Sequence, residues 1–72
     1  MASAADALIE CMKKHGEPMN MRDLLLAKFC PGMQPEWLNN LLRELCSTNR
    51  IVRGKDPDTG YLVFSLTPEE EG

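Results

Sequence analysis

The spacing of its chain breakers constrains this sequence most. Gly16-Glu17-Pro18, Cys30-Pro31-Gly32 and the run from Gly54 to Gly60 divide it into pieces that each hold one short element. With 72 residues, 43% of them apolar, those pieces belong to one small domain, because no chain is left for a second core. A domain this short buries only about 60% of the surface its unfolded chain exposes. Little room remains for an enclosed reaction site, so binding is expected rather than catalysis, and the chain is not expected to be an enzyme.

The first piece reads as a helix. Ser3 and Asp6 can each cap it, and Ala5, Leu8, Ile9 and Met12 recur at the spacing of one buried face. Lys13, Lys14 and His15 complement a helix C-terminus, Gly16 supplies a left-handed stop and Pro18 forbids continuation. Asn20 with Asp23 resembles a capping box, and Met19 with Leu24 occupies the two positions of a hydrophobic staple. A second, short helix is predicted to about Phe29, ending in a sharp corner at Cys30-Pro31-Gly32.

Pro35 is placed as a first-turn proline and Glu36 favours the positive end of the helix dipole. The third helix then gathers Trp37, Leu38, Leu41, Leu42, Leu45 and Cys46 on one half of the wheel. Glu36, Asn39, Asn40, Arg43, Glu44 and Ser47 fill the other. Asn49 can take the left-handed conformation that closes a helix. Beyond Arg50 the pattern becomes extended: Ile51-Val52 and Tyr61-Leu62-Val63-Phe64 read as two strands joined by a polar turn, with Leu62, Phe64 and Leu66 expected to face the core. After Thr67-Pro68 only acids and glycine remain, so residues 1–68 are expected to form the domain and residues 69–72 a disordered acidic tail.

Three helices followed by a two-stranded β-hairpin make an α+β arrangement that resembles a winged helix over roughly residues 5–68. The most specific stretch is Leu42-x-x-Leu45, then Asn49-Arg50-Ile51-Val52-Arg53, Asp56-Pro57-Asp58-Thr59-Gly60 and Ser65-Leu66-Thr67-Pro68. It is similar to the recognition-helix end and wing of bacterial multiple-antibiotic-resistance-type (MarR) regulators. The wing tip Thr59-Gly60-Tyr61 carries no base where that family places an arginine, and the chain has no length for that family's flanking dimerisation helices. The resemblance is therefore one of module, and it implies a DNA-binding regulator of transcription.

The charges allow this reading. The net charge is -3, yet residues 1–66 carry eight basic and eight acidic groups, so the excess is Glu69, Glu70 and Glu71. Helix three offers Asn39, Asn40 and Arg43 outward, with Gln34 at its N-terminal side, and amides and guanidinium groups are the side chains that read adenine and guanine in the major groove. Arg50, Arg53 and Lys55 in the wing would hold the backbone beside the groove. The expected partner is double-stranded DNA, with a homodimer or a protein partner supplying the remaining affinity. The rival expectation is a non-catalytic winged-helix module for protein-protein interaction, docking through the hairpin's outer Tyr61 and Val63 or its tip.

Other chemistry finds less support. Cys11 and His15 lie four residues apart but do not complete a metal site, and three cysteines without a C-x-x-C pair fit reduced thiols. Asp56-x-Asp58-x-Gly60 lacks the closing glutamate of a calcium loop. No cofactor, metal or small-molecule substrate is expected. Trp37 is read as a partly buried anchor. The longest apolar run, Leu24 to Ala27, is far too short to span a membrane, and Met1-Ala2-Ser3 opens no signal sequence, so an intracellular location is expected, cytoplasmic in a bacterium and nuclear in a eukaryote.

Overall fold

A computed structural model describes residues 3–71. The fold is α+β, with helices α1 (Ala4–His15), α2 (Met21–Ala27), α3 (Pro35–Ser47) and α4 (Pro68–Glu71) and strands β1 (Met19–Asn20), β2 (Ile51–Lys55) and β3 (Leu62–Leu66). The strands form one antiparallel sheet in the order β1-β3-β2. Among the described residues no helix is long and apolar enough to cross a membrane.

Local signals set most element boundaries. Ser3 Oγ accepts from the Asp6 amide at 3.2 Å and Asp6 Oδ2 accepts from the Ser3 amide at 3.4 Å, so the first free N–H groups of α1 are satisfied reciprocally. Gly16, at φ 76°, ends that helix by donating to the Met12 carbonyl. A second capping box opens α2, with Asn20 Oδ1 accepting from the Asp23 amide at 2.8 Å. Met19 and Leu24 flank it and both are buried, as a staple requires. α2 is shorter than its sequence suggests: Lys28 turns left-handed at φ 48° and stops it at Ala27. At the end of α3, Asn49 sits at φ 61° while its amide donates to Cys46 and that of Arg50 donates to Leu45. Both bonds of a Schellman closure are present, with asparagine where glycine is usual.

The core lies between the helices and one face of the sheet. α1 contributes Leu8, Ile9 and Met12, α2 Leu24, and α3 Leu38, Leu42 and Leu45, which meet Met19, Ile51 and Phe64 from the three strands. Trp37 is half-exposed and tilts against Phe29 with ring centroids 6.3 Å apart, an anchor at the core margin.

Three features differ from the sequence expectation. Met19 and Asn20 pair with Phe64 and Val63, adding a third strand whose two residues are too few to show any periodicity. Residues 68–71 form a helical turn instead of a disordered tail, because Glu70 finds a charge partner in Arg50; Gly72 lies outside the described residues. Of the three residues expected inside, Phe64 is buried and Leu66 is half-buried, but Leu62 is 51% exposed. It stands opposite Lys55, where the hairpin outruns the helices.

Candidate nucleic-acid interface

The exposed side of α3 is the natural place to begin. With Leu38, Leu42 and Leu45 buried, a rotation of about 100° per residue sends Asn39, Asn40, Arg43, Glu44 and Ser47 outward, and all five are exposed. Residues four apart stack along a helix, so two columns form, each step rising about 6 Å. One column is Asn39, Arg43 and Ser47 and contains no carboxylate. The other is Glu36, Asn40 and Glu44 and is acidic at both ends.

Strand register decides which column the hairpin joins. Ile51 pairs with Leu66, Arg53 with Phe64 and Lys55 with Leu62, and directly paired residues share a face. Since Ile51 and Phe64 are in the core, Arg53, Lys55 and Leu62 project on the helix side of the sheet. Burial pushes the Cys46 thiol above its ordinary pKa, and the charge of Arg53 acts in the opposite direction. Cys46 is three residues beyond Arg43, on the flank of the carboxylate-free column.

The sequence-designated residues therefore separate. Asn39 and Arg43 are exposed on α3, Arg53 and Lys55 are exposed on β2, against which α3 packs, and among the described residues none of the three cations is in an ion pair. Asn40 belongs to the acidic column. Gln34 occupies the N-cap position of α3, is exposed, and makes no capping bond with its side chain. Arg50 does not join the group. Its Nε donates to Glu70 Oε1 at 2.8 Å and its Nη2 lies 3.5 Å from Asp6 Oδ1, so it ties α1 to α4. Strand alternation also turns it toward the other face of the sheet from Arg53. These bonds hold the guanidinium even more firmly charged, the Glu70 hydrogen bond being the main cause. Reading Arg50 as a phosphate contact misses its two structural partners, which lie at the chain's two ends.

Carboxylates lie around this stripe. Glu36 stands at the N-terminal side, Glu44 in the second column, and Asp56 and Asp58 in the turn. The turn is shaped by its own hydrogen bonds: the Asp58 amide donates to Asp56 Oδ1 at 2.9 Å, the Gly60 amide to the Asp56 carbonyl at 2.8 Å, and the Tyr61 amide to Thr59 Oγ1 at 3.2 Å. Two further residues share the surface and were not singled out from sequence. Ser47, one turn beyond Arg43, follows from the same wheel, whereas Leu62 opposite Lys55 follows only from the register.

Elsewhere the surface offers shallow grooves. One, of about 300 Å³, runs between the end of α1 and β3 beside Met12, Gly16, Pro18 and Leu66. Among the described residues no group of three or more histidine, cysteine, aspartate or glutamate side chains is placed to hold a metal ion. No family model matches the chain, and no curated protein matches it either.

Proposed function

We propose that this chain is a winged-helix module that binds duplex DNA as a small regulator of transcription, with α3 in the major groove and the β2–β3 hairpin against the adjoining backbone. The order α1-β1-α2-α3-β2-β3 and the sheet order β1-β3-β2 are compatible with that module. The observation that carries the reading is the set Asn39, Arg43, Arg53 and Lys55: an amide and three cations, all exposed, with no ion pair to any of the three among the described residues. Asn39 and Arg43 carry the donors that read base edges, and Arg53 and Lys55 carry the charges that hold phosphates.

The stripe is short, and its length sets the strength of binding. Three cations neutralising three phosphates give a log-log salt slope of about -2.7, and contact of that size belongs with weak, largely non-specific affinities of roughly 10⁻⁴ to 10⁻⁶ M. A single module is thus expected to need a second copy or a partner for useful affinity. The test is fluorescence anisotropy of a labelled duplex of arbitrary sequence, titrated at low and rising salt. Binding at low salt that weakens steeply supports the reading; no binding at low salt refutes it.

A second reading has its own observation. The four carboxylates around the stripe oppose phosphate, and the hairpin exposes Tyr61 (63%) and Val52 (47%), which suits a protein partner. In that case duplex does not bind, and substitutions at Tyr61, not at Arg43, abolish the interaction.

A further inference from the structure

We propose that Leu62 is a DNA contact, an apolar side chain that seats on the deoxyribose rings of the strand whose phosphates Arg53 and Lys55 neutralise. This contact rests on the DNA reading above and adds a sugar-recognising residue to it.

A single exposed leucine on a protein surface is ordinary. Leu62 is set apart by its neighbours, which the strand register fixes. Directly paired residues of antiparallel strands share a face, with Cβ atoms about 4.5–5.5 Å apart, and diagonal neighbours stand about 7–8 Å away. Leu62 is therefore side by side with Lys55, to which it pairs, and diagonal to Arg53, which pairs with Phe64. Both cations are exposed, and among the described residues neither is in an ion pair. β1 pairs with β3 only at Phe64 and Val63, so no strand residue is paired with Leu62 on that edge. The leucine is left 51% exposed.

The spacing of these three residues suits a nucleic-acid backbone. Arg53 and Lys55 are two residues apart on β2, about 6.4–6.8 Å along it, which lets them take neighbouring phosphates of one DNA strand. Leu62 stands on the next strand, about 4.7–4.9 Å to the side of that row. Beside a row of phosphates lie the sugars, whose carbon faces are the apolar part of the backbone. A leucine there sheds water against carbon while its neighbours hold charge, and neither interaction requires a particular base. The paired residues on this face are Ile51, Arg53, Lys55, Leu62, Phe64 and Leu66, with no carboxylate among them. Of the turn's two acids, Asp56 continues the register opposite Tyr61 on the reverse side, where its Oδ1 accepts from the Asp58 amide at 2.9 Å, and Asp58 lies at the tip.

The test is an anisotropy titration of the whole chain against two labelled duplexes at low salt, one of alternating A·T pairs and one of alternating G·C pairs. Leu62→Ala should weaken binding to both by about 3- to 8-fold, the change expected when roughly 30–50 Å² of apolar surface loses its contact. The log-log salt slope should stay that of the unsubstituted chain, because no charge is removed. Leu62→Met should bind as the unsubstituted chain does, whereas Leu62→Gln, similar in size but polar, should behave like Leu62→Ala. Tyr61→Ala, on the reverse face, should have no effect. Leu62 lies outside the buried core, so all four variants should keep the thermal midpoint, which separates a lost contact from lost folding. Duplex binding that Leu62→Ala leaves unchanged overturns the sugar contact while the DNA reading stands. A loss confined to the A·T duplex also overturns it, by assigning Leu62 to the thymine methyl instead. If the unsubstituted chain binds neither duplex, the DNA reading fails and this contact with it.

Discussion

Removing one cation from the stripe should change how salt acts on DNA binding by an amount that follows from counting. If Arg43, Arg53 and Lys55 each neutralise a phosphate, the log-log slope is about -2.7, and raising salt from 50 to 200 mM weakens binding about 40-fold. Arg53→Ala leaves two contacts, a slope of about -1.8 and a loss of only about 12-fold over the same range. β2 packs against α3, so Arg53 is not expected to act apart from the α3 residues. Arg43→Ala is therefore expected to give the same reduced slope. Lys14→Ala removes an equal charge from an exposed position on α1 and should leave the slope unchanged. Asn39→Ala should also leave it unchanged while erasing about 1–3 kcal/mol of preference at one base pair, because an amide contributes readout rather than charge. Anisotropy titrations of the four variants at three or more salt concentrations decide the matter. If Lys14→Ala lowers the slope as much as Arg53→Ala does, binding is diffuse and the stripe is not a site.

Further outcomes concern stability. Leu42→Ala, deep in the core at 1% exposure, should cost about 2–5 kcal/mol. A domain of this length has roughly 4–10 kcal/mol in total, so a urea titration should show a large loss of folded population in dilute buffer. Asn20→Ala removes the acceptor of the 2.8 Å capping bond and should cost about 1 kcal/mol, whereas Gln34→Ala, at the other N-cap, removes no capping bond and should cost close to nothing; urea midpoints distinguish them. Acid should loosen the start of α1. Hydrogen bonds from Ser3, chiefly its backbone amide, hold the Asp6 carboxyl below its ordinary 3.8, and Arg50 lowers it further. The stabilisation is complete above 3.8 and is lost as pH falls through the lower folded value, so a carbon-detected titration of Asp6 should show a midpoint below 3.8 that moves only part of the way back in Ser3→Ala, which removes the hydroxyl but keeps the backbone amide.

The boundaries of α1 and α3, the Asn20–Asp23 capping box and the hairpin were legible because their causes act within a few residues, whereas Ser3 and Asp6, each read as a possible cap, prove to act as one reciprocal pair. Ser3 meets Asp6, Asn20 meets Asp23, and Gly16 and Asn49 close helices with their own backbone conformations. The exposed amides and Arg43 of α3 were legible for the same reason, since a helix imposes one period on every side chain it carries. The end of α2 was not, because Lys28 takes a left-handed conformation that its residue type does not announce.

Sequence alone determined the punctuation, the order of helices and hairpin, and the set of polar groups available to face outward, all consequences of short-range stereochemistry. Tertiary structure decided how that set divides. Which face of β2 meets the core depends on pairing Ile51 with Leu66 and Arg53 with Phe64, and shifting that register by one residue would send Arg53 and Lys55 to the opposite side. Arg50 was indistinguishable in the chain from its neighbour Arg53, yet its partners Asp6 and Glu70 lie 44 and 20 residues away, and β1 exists only because Phe64 and Val63 return to it. Local rules specify conformation and exposure; only the closed fold brings distant charges within bonding distance and so settles which cations remain free.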